Sequence, residues 1–596
     1  MCGINGFNFQ DQSLAIRMKK FTKSRGPDAE GEYKDDFFTI LHDRLSILDL
    51  SSSANQPMIF ENLVITYNGE IYNFKELKKE LINCGYKFKT NCDTEVILYL
   101  FHKYNVDAFK KLSGIFALAI WDKLNRKLYL VRDKVGVKPL FYHFNDLEKK
   151  FFFSSSIKSL LECANKKILN ENVLYHYSNF GRNDCKETIF KNIFKLMPGE
   201  LLIFDERKKN FLLNKLLKFN LEEKNYSNLS IKKIIKDTID SQLISDVPIA
   251  LSLSGGVDSN IVYSVMRERF ENKFNIYSFY FKDYEKFNGD FYTAKKNASF
   301  YKTPFFPIEI SHVDFIENAE KAIEILEEPL ANQCSILNYK MANSISEKIL
   351  ITGDGGDEIF TGYDSYRSIH IIHFIQKFNL FKNFNINFGP KNFKRFFMND
   401  PKDMYISFSE QNIYKDLNKY FKNMKLYSKA DLSLNHCKYY KLQNRLNHIC
   451  FLDLDTVIPN DFLLRNDKVF MSQGKEVRVP LLDINLINKF LMFNENKKFG
   501  NFFKSKNLLK KIFKDEIHSL VKTKWGLQSP YAKWLKGPLN TFAKEILSKD
   551  YYSNSEKYLN FDNIQKMLVK HQNEYYNPAL IWSLINLQLF LRKFKL

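Results

Sequence analysis

The apolar pattern of this 596-residue chain changes character once, near residue 230, and that change argues against a single continuous core. Before it, short runs at 63–67, 114–121, 127–131 and 151–154 read as strands spaced as in hairpins, with few helices between them. Beyond it, runs at 249–253, 277–281 and 349–352 read as buried strands separated by helical segments such as 315–326. That alternation implies a mainly parallel sheet with helices on its faces. A chain of this length also calls for more than one domain. The boundary is expected in the charged stretch 214–230, giving regions 2–212 and 228–596. Asn73 is expected to cap a helix running through Leu77 and Leu81 and stopping at Gly85. After Tyr363 the pattern is mostly helical and includes the aromatic-rich stretch 369–397.

Composition narrows the function classes. A hydrophobic fraction of 45% excludes a disordered chain. No apolar run approaches the roughly 20 residues that span a bilayer, and the start lacks a secretory pattern, so a cytoplasmic protein is expected. The eight cysteines are scattered without a Cys-x-x-Cys pair, which argues against zinc and against a disulfide framework. The net charge of +21 comes from basic residues spread along the chain, with a local concentration at 377–397, so nucleic-acid binding is not expected.

Cys2 would become the first residue on removal of Met1. Its α-amine, with a reference pKa of roughly 7.7–8.0, could then take the thiol proton without a separate base. Behind it come Arg25-Gly26-Pro27-Asp28, Arg44-Leu45-Ser46-Ile47, Asn68-Gly69-Glu70-Ile71-Tyr72-Asn73, Asp93-Thr94-Glu95, and Arg132-Asp133 with Gly136 and Lys138-Pro139-Leu140. In this order the motifs resemble the class II glutamine amidotransferases. The resemblance makes Cys2 the nucleophile, Asn68 and the Gly69 N–H the oxyanion donors, and Arg44, Asn68, Glu70 and Asp93 the glutamine ligands. Arg44 suits the carboxylate through its bidentate fork, and Asp93 suits the α-ammonium. Ser24 and Ser156 depart from the family pattern, which has histidine and glutamate at those places.

Leu251-Ser252-Leu253-Ser254-Gly255-Gly256-Val257-Asp258-Ser259 lies between a strand and a helix. Glycines admit phosphate oxygens close to the backbone, and serine hydroxyls and N–H groups at a helix start supply donors. It resembles the Ser-Gly-Gly-x-Asp-Ser loop of the ATP-pyrophosphatases. A second loop, Thr352-Gly353-Asp354-Gly355-Gly356-Asp357-Glu358, also follows a strand. Carboxylates beside a triphosphate need an intervening cation, so Asp258 and Asp357 are read as Mg2+ ligands. Arg465, Lys468 and Arg478 add positive charge, and Lys468 is assigned to pyrophosphate.

From Cys2 to the segment 524–530 the whole order resembles the asparagine synthetase family, with a looser match at 287–298 and in the tail, where Trp525 and Leu527 replace more typical residues. The resemblance implies an N-terminal αββα sandwich of the N-terminal nucleophile type, followed by an α/β parallel-sheet ATP-pyrophosphatase domain with a helical C-terminal part. It places Leu253, Phe279, Thr352 and Gly353, with Ser254, Gly255, Gly256, Asp258 and Ser259, around ATP, and gives Asp354 a part in the acyl-adenylate step. The expected small-molecule substrates are glutamine, ATP and aspartate, with a homodimer as the family's habit. Two alternatives change the substrate: the same chemistry on another carboxylate, such as a uronic acid, or a tRNA-handling pyrophosphatase. A third, a regulatory relative with an inactive glutaminase, is disfavoured by the intact Cys2, Arg44, Asn68 and Asp93.

Overall fold

The computed structural model describes residues 2–164, 166–377, 417–422, 445–499, 506–517, 529–574 and 576–596. The part of the aromatic-rich stretch beyond residue 377, and residues 524–527, lie outside the described residues.

Twelve of the described strands belong to the first half: β1 (Cys2–Phe7), β2 (Ala29–Lys34), β3 (Thr39–Arg44), β4 (Met58–Phe60), β5 (Leu63–Ile71), β6 (Gly114–Asp122), β7 (Lys127–Arg132), β8 (Phe141–Asn145), β9 (Lys150–Ser154), β10 (Ile193–Lys195), β11 (Glu200–Asp205) and β12 (Asn210–Lys215). They form two six-stranded antiparallel sheets, ordered β10-β8-β9-β1-β3-β2 and β12-β11-β7-β6-β5-β4. Ile4, Ile40, Phe151 and Phe153 from one sheet pack against Val64, Ala117, Ala119 and Trp121 from the other. Each fully buried Ile, Val or Phe side chain here contributes about 1.5–3 kcal/mol of transfer free energy. The outer faces are covered by helices, Gln12–Lys19 and Ile157–Leu161 on the first sheet and Asp93–Tyr104 on the second, which gives four layers in the order αββα.

The two-residue period then decides where polar side chains go. Cys2 shares a strand face with Ile4, His42 and Arg44 share one with Ile40, and Asn68 and Glu70 share one with Val64. All five therefore project into the gap between the sheets. β5 runs on to Ile71, so Asn68-Gly69 is strand and not a turn. The helix expected after Asn73 is present as Phe74–Asn83, but Asn73 does not cap it. Its side chain instead accepts from the Ser113 N–H at 3.0 Å and donates to the Lys111 carbonyl at 3.0 Å, tying down the neighbouring loop.

In the second half β13 (Ile249–Ser252), β14 (Ile276–Phe281), β15 (Phe305–Ile310), β16 (Ile349–Ile351) and β17 (Glu476–Arg478) form one parallel sheet, ordered β15-β14-β13-β16-β17. The chain builds outward from β13 in one direction and then returns to build from its other side. The crevice at the carboxyl ends of β13 and β16 is therefore the topological switch point, where open parallel sheets bind ligands. The helix expected at 315–326 spans His312–Leu326 and begins with a reciprocal capping box between Ser311 and Asp314. Among the described residues no helix is long and apolar enough to cross a membrane.

Candidate active sites

The first site forms around Cys2, in the gap between the two sheets. The backbone N–H of Cys2 donates to Asn68 Oδ1 at 3.0 Å, joining β1 of one sheet to β5 of the other. Burial raises the Cys2 thiol pKa, but the charge of His42, its hydrogen bond and the amino terminus outweigh this and bring it down to about 6. His42 is fully buried on β3, two residues before Arg44 and on the same strand face. The sequence reading passed over it; the alternation around Arg44 was the signal that could have found it. Burial and the nearby Asp93 push Glu70 well above the usual carboxylate range, against the opposing charge of Arg478. Asp93 begins the helix Asp93–Tyr104 and accepts from the Tyr67 hydroxyl at 2.8 Å and the Ile71 N–H at 2.9 Å. Arg44 directs its guanidinium at the loop after β3, donating to Ser51 O at 2.8 Å and Asn55 Oδ1 at 2.7 Å.

The Arg132-Asp133 motif is a brace. The Asp133 carboxylate accepts from the N–H groups of Val135, Gly136, Val137 and Lys138, and Arg132 clasps the carbonyls of Gly136, Lys138 and Leu196. Arg25 reaches further. Its Nε–H donates to the Cys2 carbonyl at 3.2 Å, and its guanidinium meets the buried Asp467 carboxylate of the second half at 2.8 Å. Ser24 is exposed. Ser156 is buried and donates to Glu327, so a carboxylate stands at this place after all, carried by the second half of the chain.

The second site is a cavity of about 580 Å3 at the switch point. Leu253, Ser254, Gly256, Asp258 and Ser259 line it from the β13 loop, Phe279 from β14, and Thr352, Gly353, Asp354 and Asp357 from the β16 loop. Gly255 sits against Asp290, itself on the cavity wall, and Thr293, with no room there for a Cβ. The β13 loop is held open for a ligand by its own side chains. Ser254 Oγ lies 3.0 Å from Ser259 Oγ, and Asn260 donates to the Ser254 and Gly256 carbonyls at 3.1 and 2.7 Å. The helix Val257–Phe270 then points its amino end into the cavity. Gly353 allows the two loops to touch, because a Cβ there would lie 2.6 Å from the Ser259 nitrogen. Asp258 and Asp357 converge on one ammonium, that of Lys506. Two oxygen donors from opposite loops, beside a phosphate-sized space, are the donor set Mg2+ takes when substrate phosphates complete its shell.

The cationic assignments need correction. Lys468 does not line the cavity. It is buried at the seam between the two halves, 2.5 Å from Glu327 and 3.2 Å from the Ser155 carbonyl. The reason is how the helix Leu463–Met471 is docked: Arg465 and Asn466 reach the cavity, while Asp467 pairs with Arg25 and Lys468 with Glu327 at the seam. Arg478 is fully buried as well, between Glu476, the Gln242 carbonyl and Glu70. Among the described residues, the cations that reach the cavity are Arg182, Arg465 and Lys506. Arg465 is 5% exposed, and its Nε and Nη1 have no hydrogen-bond partner among the described residues. Its Nη2 lies 3.9 Å from Asp461, which in turn accepts from Asn332 at 2.9 Å. Asp354 accepts from Thr352 Oγ1 and Asn466 Nδ2, each at 2.9 Å.

Comparison with known proteins agrees with this geometry. Residues 1–214 match the family model of a glutamine amidotransferase domain, and residues 230–592 match that of asparagine synthase. Glutamine-hydrolyzing asparagine synthetase 1 of Bacillus subtilis is 28% identical, over 98% of this chain and 95% of its own length. A putative glutamine-hydrolyzing asparagine synthetase 2 of Methanocaldococcus jannaschii is 32% identical, over 63% of this chain and 78% of its own. Amidase chry2 of Gibberella zeae is 27% identical, over 58% of this chain and 54% of its own.

Proposed function

This chain belongs to the asparagine synthase family and carries a glutamine amidotransferase domain, and on that premise we propose that it makes asparagine from aspartate, glutamine and ATP. With Met1 removed, the Cys2 thiolate attacks the glutamine side-chain amide. Asn68 Nδ2 and the Gly69 N–H receive the developing oxyanion. Ammonia leaves, and water releases glutamate from the thioester. In the second site the acceptor carboxylate attacks the α-phosphorus of ATP, pyrophosphate departs, and ammonia displaces AMP from the acyl-adenylate. Asp354, anchored by Thr352 and Asn466, would take the proton that ammonia sheds as it attacks the acyl-adenylate. Asp258 and Asp357 would hold Mg2+, which neutralises phosphate charge when bound.

The observation that carries aspartate over a uronic acid is the pairing of Arg465 with Asp461 in the cavity wall. A buried guanidinium next to a carboxylate matches an α-carboxylate next to an α-ammonium. A uronic acid has no ammonium to offer Asp461. Product analysis with glutamine, ATP and either aspartate or a panel of uronic acids tests the proposal. Asparagine, AMP and pyrophosphate are expected. ADP and phosphate would refute the pyrophosphatase chemistry, and AMP formed with a uronic acid alone would hand the acceptor to that class.

A further inference from the structure

Lys506 occupies the point where Asp258 and Asp357 converge. It is 3% exposed and lines the cavity. Its ammonium contacts both carboxylates. Burial works against its charge, but Asp258 and Asp357 overcome burial and raise its pKa. The surroundings are shaped for it. Lys506 sits in the left-handed region, φ 54°, just before the helix Asn507–Ile512. Gly362 leaves room for both side chains, since a Cβ there would lie 1.7 Å from an Asp357 oxygen and 2.1 Å from Lys506 Cε.

Charge balance gives this contact a role. Two carboxylates facing a triphosphate would repel it, and one ammonium compensates only one of them. A divalent cation outcompetes a monovalent one for the same oxygens. The displaced ammonium is a compact charge on a flexible stem, free to turn to another anion in the same cavity. We propose that Lys506 is a tethered counter-cation of the phosphate loop. It holds Asp258 and Asp357 together before nucleotide enters, yields them to magnesium, and turns its ammonium onto the pyrophosphate oxygens. This rests on reading the 254–259 loop as a pyrophosphate site.

The test uses two probes on the full chain: Mn2+ alone, followed by its paramagnetic resonance signal, and inorganic pyrophosphate with Mg2+, followed by calorimetry. Lys506→Met should bind Mn2+ alone about tenfold more tightly, because no ammonium competes, and magnesium pyrophosphate about tenfold more weakly. Opposite signs separate this role from a structural one, since a loosened loop would weaken both. Lys506→Arg should stay close to the wild type with each probe. Where Lys506→Met does not fold, Lys506→Gln is measured in its place, with the same two signs expected. Unchanged or weaker Mn2+ binding in the neutral variant overturns the proposal. A wild-type chain that binds neither probe overturns the phosphate-loop reading as well, so the two failures are distinguishable.

Discussion

Replacing His42 with asparagine removes the imidazole that lies diagonal to Cys2 across the β1–β3 ladder, opposite Ile4. With a thiol pKa of about 6, roughly 90% of Cys2 is thiolate at pH 7. In the variant, burial is opposed only by the amino terminus and a backbone hydrogen bond at Leu45. The thiol should return to about 9 or above, leaving about 1% thiolate at pH 7. Reactivity falls less than this ratio of about 100, because a more basic thiolate is a better nucleophile. A Brønsted slope of about 0.4–0.5 returns roughly 20-fold, so alkylation at pH 7 should slow only about fivefold. The pH profile is the sharper measurement. The rate of iodoacetamide incorporation at Cys2, resolved by peptide mass spectrometry, should have its midpoint near pH 6 in the wild type and near or above pH 9 in the variant. Peptide resolution matters because Cys84 is exposed. Arg25, which donates to the Cys2 carbonyl, and Arg44 are unchanged by the substitution. A midpoint that stays near 6 in His42→Asn refutes the assignment to His42. A wild-type midpoint near 9 refutes the lowered thiol itself.

Three further outcomes follow from the same contacts. Asp467→Asn strips Arg25 and Lys138 of their buried carboxylate and should cost about 3–5 kcal/mol, read as a lower calorimetric unfolding temperature; an unchanged temperature would refute it. Burial raises the Asp467 pKa, but Arg25 and Lys138 hold it below the usual range. Its contribution is therefore full above the unfolded value of about 3.9 and is lost as pH falls through the lower folded value. Arg465→Met should raise the acceptor KM by about 10–100-fold, the worth of a charged hydrogen bond, while glutamate release from glutamine holds steady; an unaltered KM would dismiss Arg465 as an acceptor ligand. Asp357→Asn should abolish AMP formation and spare glutamine hydrolysis, and full synthesis at limiting magnesium would remove Asp357 from the metal site.

Much of both sites was legible in the sequence because their parts are local. The alternation in β5 carries Asn68 and Glu70 to one face whatever lies opposite, and the β13 loop is built by residues within a few positions of Ser254. The parallel sense of the second sheet follows from the same alternation of strands and helices, while its strand order came from the structure. Charge partners are different, since they join residues far apart in the chain. Lys468 and Arg465 are three positions apart, and only the docking of their helix decided that Arg465 meets the cavity and Lys468 meets Glu327. Ser156 read as a loss until Glu327 arrived from 171 positions away. Lys506 reaches Asp258 across 248 positions and Asp357 from another loop, so no spacing pattern could announce it. The sequence by itself determined most of the secondary structure, the strand that carries Cys2 and the two loops that line the cavity, because backbone geometry and side-chain period act over a few residues. Which buried charges pair was decided only by the tertiary structure, because in a low-dielectric interior each ion takes the counter-ion that packing brings within about 4 Å.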